Sequence, residues 1–249
     1  MTDRVYPFVV IAIKTFWRYL GLRFTIKGEE HIPRSGGAIL AINHVGYLDF
    51  ALSGTAALPA KRYVRYMAKK QIFDHPIAGP LMRGMHHISV DRDAGSASFV
   101  AALRALKAGE IVGIFPEATI SRSFEIKSLK SGAARLAIGA GVPVLPTIVW
   151  GSQRIWTKGR KRDFRRRKIP IFIYVGTPLH FTRETEVEVA EAEIKGALEA
   201  LLRQVQSEYP DDHVGAWWAP ARLGGTAPTL AQLELSLIHI SEPTRRRGI

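Results

Sequence analysis

The sequence predicts an α/β fold: a central mixed β-sheet flanked by helices, with an amphipathic helix at the N-terminus. Three observations predict it. Short apolar runs alternate with stretches of helical periodicity along most of the chain, the pattern of layered α/β proteins. Two runs, Ile111–Phe115 and Val144–Val149, are nearly all apolar, as strands covered on both faces must be. At 249 residues and 47% hydrophobic composition, the chain has material for a sizeable core.

The first element is a helix within residues 1–20. Val5–Ile13 (VYPFVVIAI) is apolar, but Lys14 ends the run well short of the ~20 residues that span a bilayer. No small-residue cleavage site follows, which argues against a signal peptide. Phe16, Trp17 and Tyr19, with Lys14 and Arg18 beside them, suit a helix lying in a membrane interface. Strands follow at Leu22–Lys27, Ala38–Ile42, Tyr63–Ala68, His87–Val90, Ile111–Phe115, Val144–Val149 and Ile171–Val175. Between them the periodicity predicts helices at Leu48–Ala57, Ile77–Arg83, Ser96–Ala108, Ser131–Ala140 and Glu186–Glu208. The last is the clearest. Ala190, Ile194, Ala197, Leu198, Leu201 and Val205 mark one face, and Thr185 with Glu188 resembles a capping box.

Residues 21–209 thus read as the main domain, and 210–234 as a loose tail. Leu235–Arg245 (LSLIHISEPTR) resembles the in-frame translation of a transposase-type sequencing adapter, so residues 235–249 are read as an artefact of sequence assembly and set aside.

Lys and Arg number 35 against 22 Asp and Glu, a formal net charge of +13. In residues 235–249 three arginines outweigh Glu242 by two, so the rest of the chain keeps +11. Such a charge implies an anionic partner: nucleic acid, a phospholipid surface or a phosphorylated substrate. Lys158–Lys168 (KGRKRDFRRRK) sets eight cations against Asp163 alone. It reads as a patch for anionic headgroups, each cation contributing about 1 kcal/mol near such a surface. The chain has no cysteine, which removes disulfides, thiolate metal sites and a cysteine nucleophile. No helix-turn-helix, zinc or RNA-sheet motif accompanies the charge, and no nucleic-acid partner is expected.

The chemistry concentrates where predicted strands end. Asn43-His44-Val45-Gly46-Tyr47-Leu48-Asp49 follows AILAI, at the sheet edge where ligands of α/β proteins bind. Five positions separate His44 from Asp49, which suits a turn that folds the carboxylate back onto the imidazole. The carboxylate would fix the tautomer and leave the other ring nitrogen free as a base. Ser89-Val90-Asp91-Arg92 and Phe115-Pro116-Glu117-Ala118-Thr119 follow two other strands, and Val142-Pro143-Val144-Leu145-Pro146 leads into a fourth.

Together these four motifs resemble the glycerolipid acyltransferase family that includes the lysophosphatidate acyltransferases. The resemblance spans roughly Gly21 to Leu202 and makes 21–209 an acyltransferase domain. It implies that His44 is the general base, deprotonating an acceptor hydroxyl for direct attack on a thioester, with Asp49 as its orienting partner. It implies that Arg92 clamps the acceptor phosphate, that Glu117 and Thr119 help arrange the acceptor site, and that Pro143 shapes the donor region. A guanidinium suits phosphate, and no GxSxG nucleophile motif is present to require an acyl-enzyme. The third motif commonly reads FPEGTRS, whereas this chain has FPEATIS. Ile120 cannot serve as a second phosphate clamp, and Arg122 is expected to replace it, with Lys127 and Lys130 as alternatives. The resemblance further implies acyl-CoA or acyl carrier protein as donor, a lysophospholipid acceptor and no cofactor. With the basic patch and the N-terminal helix, it places the protein peripherally on the cytoplasmic face of the cell membrane.

Overall fold

In a computed structural model the chain is described over residues 3–91 and 95–241. All seven expected strands form, within a residue or so of their expected bounds. After α1 (Tyr6–Leu20) come β1 (Arg23–Lys27), β2 (Ala38–Ile42), α2 (Asp49–Ser53), β3 (Val64–Lys69), α3 (Lys70–Phe73), α4 (Ala78–Gly84) and β4 (Ile88–Val90). Then follow α5 (Gly95–Lys107), β5 (Ile111–Ile114), α6 (Gly132–Ala140), β6 (Val144–Trp150), β7 (Pro170–Val175), α7 (Val187–Glu208) and α8 (Leu230–Ser241).

The strands form one sheet in the order β1-β7-β6-β2-β5-β3-β4. Every pairing is parallel except β6 with β7, so the sheet is mixed as expected. The period of two in each strand sorts its side chains onto two helical layers. Ile39 and Ala41 of β2 face a core shared with α5, α6 and α7, while Ala38, Leu40 and Ile42 face one shared with α1 and α2. All five are fully buried, which is why β2, β5 and β6 lack polar alternation.

Four expectations change. The helix expected at Leu48–Ala57 is α2 followed by a 3₁₀ turn at Gly54–Ala57. The capping box at α7 does not form: the helix starts at Val187, and Thr185 Oγ1 instead accepts from Thr182 N at 3.0 Å. The aromatic band on α1 is divided, because the helix docks on the domain through one face. Trp17 is buried and Phe16 packs edge-on against Phe164, leaving Tyr19 exposed together with Phe8 and Ile11. Finally, segment 210–234 is packed where a loose tail is expected. Trp218, Ala219 and Ala227 are buried in the α7-side core, Arg154 lies 4.5 Å from the Trp218 ring, and Arg222 pairs with Glu125. Two adjacent tryptophans offered more apolar surface than a solvated tail can leave in water.

Candidate active site

β2, β5 and β6 are adjacent and parallel, so the segments that leave their C-terminal ends emerge side by side. Those segments carry His44, Glu117 and Ser152. The side chain of Asn43 makes the first turn. It donates to Val149 O at 3.1 Å and accepts from Val149 N at 2.7 Å, continuing the ladder to β6 with an amide in place of backbone. The backbone is thereby released to turn outward at His44.

Asp49, at the start of α2, is fully buried. Its Oδ2 accepts from Val45 N at 2.7 Å, from Gly46 N at 2.8 Å and from His44 Nδ1 at 3.0 Å, and its Oδ1 accepts from the Ser152 hydroxyl. A carboxylate only accepts, so the proton of the neutral imidazole sits on Nδ1 and the lone pair on Nε2. His44 keeps one-fifth of its side chain exposed, and among the described residues Nε2 has no partner. The tautomer is fixed and Nε2 is open, the arrangement a general base requires.

A second frame holds the ring in place. Phe115 lies against His44 with centroids 4.3 Å apart, and Tyr66 stacks behind Phe115 at 6.4 Å. Gly113 makes room for Tyr66, since a Cβ there would come within 2.6 Å of its ring. Glu117 fixes the backbone: Oε1 accepts from His44 N at 2.8 Å and Oε2 from Lys127 N at 3.1 Å. Burial pushes its carboxyl up to about 7, against the opposite pull of those two amides and the Lys127 charge. Ser121 N donates to His44 O at 2.7 Å, tying the third motif to the first a second time. On the other side Tyr47 N donates to Trp156 O at 3.0 Å, and Thr157 Oγ1 to Val45 O at 2.6 Å. The basic run that begins at Lys158 therefore springs from the rim of the site.

His44, Asp49, Glu117 and Thr119 are thus brought together. Glu117 is buried and braces the loops from behind. Arg122 is exposed on the rim near Gly159. Arg92 lies outside the described residues. Pro143 is elsewhere: it precedes β6 and accepts from Ile39 N at 2.9 Å, at the end of the sheet opposite His44. About five residues of strand lie between them, a separation of ~16 Å. Asn43 and Phe115, which stand in the quoted motifs without a role, also build the site, as do Tyr66 and Ser152, which sequence reasoning missed. Asn43 could have been found as a polar residue closing an apolar strand; Ser152 carries no such signal. Among the described residues no cluster of three or more His, Asp or Glu is placed to hold a metal ion.

An α/β/α sandwich on a mixed, mostly parallel sheet whose strand ends present a carboxylate-braced histidine defines the class, and comparison with known proteins gives the family. The Acyltransferase family model matches residues 23–150, and the chain belongs to that family. It is 34% identical over 179 residues to a 1-acyl-sn-glycerol-3-phosphate acyltransferase of Bacillus subtilis, covering 71% of this chain and 83% of that protein. It is 30% identical to a protein of the same name from Limnanthes douglasii, over 69% of this chain and 59% of that one. The crystal structure of the 1-acyl-sn-glycerophosphate acyltransferase PlsC from Thermotoga maritima superposes with a TM-score of 0.66. It covers 82% of this chain and 83% of that one at 21% identity, a likeness of fold.

Proposed function

We propose that the protein transfers a fatty-acyl group from a thioester, carried by coenzyme A or acyl carrier protein, to the free hydroxyl of a 1-acylglycerol 3-phosphate. The observation that carries this reading is the open Nε2 of His44, with Nδ1 held by the buried Asp49. Nε2 takes the hydroxyl proton as the oxygen attacks the thioester carbonyl. Asp49 stabilises the imidazolium, the C–S bond breaks as the ester forms, and the proton passes to the departing thiolate. The names of the relatives in Bacillus and Limnanthes support the phosphorylated acceptor.

The reading includes peripheral attachment to the cytoplasmic face of the cell membrane. No helix among the described residues is long and apolar enough to cross a bilayer. Yet the outer face of α1 is apolar: Phe8, Ile11 and Tyr19 are 74%, 63% and 65% exposed, with Lys14 and Arg18 to one side. Such a face beside a basic rim suits an anionic bilayer.

The test is a panel of acceptors (1-acylglycerol 3-phosphate, glycerol 3-phosphate, other lysophospholipids and water), each with acyl-CoA and with acyl carrier protein. Esterified product should form fastest on 1-acylglycerol 3-phosphate. Release of free fatty acid alone, or product on none of the acceptors, would refute the reading.

A further inference from the structure

The rim of the site carries three cations, Arg122, Lys127 and Lys158, and none has a carboxylate within ion-pair distance among the described residues. Lys127 is the one held in place. Its Nζ donates to Thr119 O at 2.7 Å and to Thr119 Oγ1 at 2.6 Å, leaving one N–H to offer. Its backbone amide lies on the same carboxylate that holds the amide of His44, so Glu117 ties the backbone of Lys127 to that of His44. Lys127 is half-buried, and burial lowers its affinity for a proton, opposed by the Glu117 charge and helped by the nearby Lys158 charge. An ordinary surface lysine would swing into water and away from a like charge. This one is kept where it is by Thr119. Two neighbouring cations in no direct ion pair, with the buried Glu117 carboxyl near Lys127, are an arrangement that an added dianion relieves. The neighbouring Ile120 is buried and offers nothing polar there.

We propose that Lys127, pinned by Thr119 and backed by Lys158, binds the phosphate of the acceptor and so selects a phosphorylated lysolipid over a neutral one. This rests on the acceptor reading above. In a 1-acylglycerol 3-phosphate the reacting hydroxyl and the phosphate-bearing carbon are neighbours, so the phosphate cation must stand close to the base. Lys127 has its backbone tied to that of His44 through Glu117 and its Nζ held on Thr119 of the same loop, whereas Arg122 is exposed and makes no polar contact among the described residues.

The test is steady-state kinetics of the full chain in mixed micelles. Lys127→Met should raise the KM for 1-acylglycerol 3-phosphate by about tenfold to a hundredfold, the effect of one charge-assisted contact, with a much smaller change in kcat. Lys127→Arg should recover most of the loss, which a packing defect would not. A KM within twofold of wild type for Lys127→Met, or a rise confined to Arg122→Ala, overturns the proposal. If Lys127→Met does not fold, Lys127→Gln takes its place. A binding readout separates this from the acceptor reading: glycerol 3-phosphate should protect Lys127 of the wild-type protein from an amine-acylating reagent, scored by mass spectrometry. Wild type inactive on every phosphorylated acceptor refutes the acceptor reading, and absent protection refutes the site.

Discussion

Asp49→Asn isolates the charge behind the base. The amide can enter the carboxylate's place in only one orientation. Three N–H donors, from His44, Val45 and Gly46, converge on Oδ2, so the amide oxygen must take that position. The NH₂ then faces the Ser152 hydroxyl, which can rotate to accept. Fold and tautomer are preserved, and what disappears is the negative charge beside the imidazolium that forms during attack. At 3.0 Å and an effective dielectric constant near 20, that pairing is worth about 5 kcal/mol. The hydrogen bond to the amide oxygen retains about 1 kcal/mol, so the loss is about 4 kcal/mol, or roughly 10³-fold in turnover. His44→Ala should lose on the order of 10²–10⁴-fold. The assay is acyl transfer under single-turnover conditions, with circular dichroism to confirm the fold. Activity of Asp49→Asn within fivefold of wild type would refute the reasoning, and so would a larger loss in Ser152→Ala than in Asp49→Asn.

Ala118 has φ +59°, a left-handed conformation that suits glycine. Ala118→Gly should stabilise the fold by about 0.5–1 kcal/mol and raise Tm by roughly 1–4 °C; a lower Tm would show that the turn does not carry this strain. Glu117 keeps its proton in the folded state to about pH 7, while an unfolded glutamate releases it near 4.5. Its contribution to stability is therefore complete below about pH 4.5 and declines by up to about 3 kcal/mol as pH rises to 7. Urea unfolding across that range should show the decline in wild type and a flatter profile in Glu117→Gln; identical profiles would contradict it. Binding to anionic vesicles should weaken as salt rises from 0.1 M, where screening already acts within ~10 Å, and weaken further in Ile11→Asp; salt-insensitive binding released only by detergent would indicate deep insertion. Deleting residues 235–249 should leave Tm and activity unchanged, since Leu235 is mostly exposed; a loss of several degrees would show that the segment belongs to the protein.

The sequence by itself determined the layers and the pairing of His44 with Asp49, because both are local. An apolar run such as AILAI has no stable place except between two helical layers, and it became the central strand. His44 and Asp49 stand five residues apart, within reach of one turn, so their pairing could be read from spacing. Tertiary structure alone decided what stands behind and around them. Ser152 meets Asp49 across 103 positions and Asn43 meets Val149 across 106, and no periodicity links residues so far apart. Strand direction put Glu117 beside His44 and Pro143 at the far end of the same sheet, although both belong to motifs the sequence displays equally well. The faces of α1 were likewise settled by docking. Its apolar residues lie all around the helix, and only contact with α2 and the sheet determined that Trp17 is covered while Phe8, Ile11 and Tyr19 remain outside.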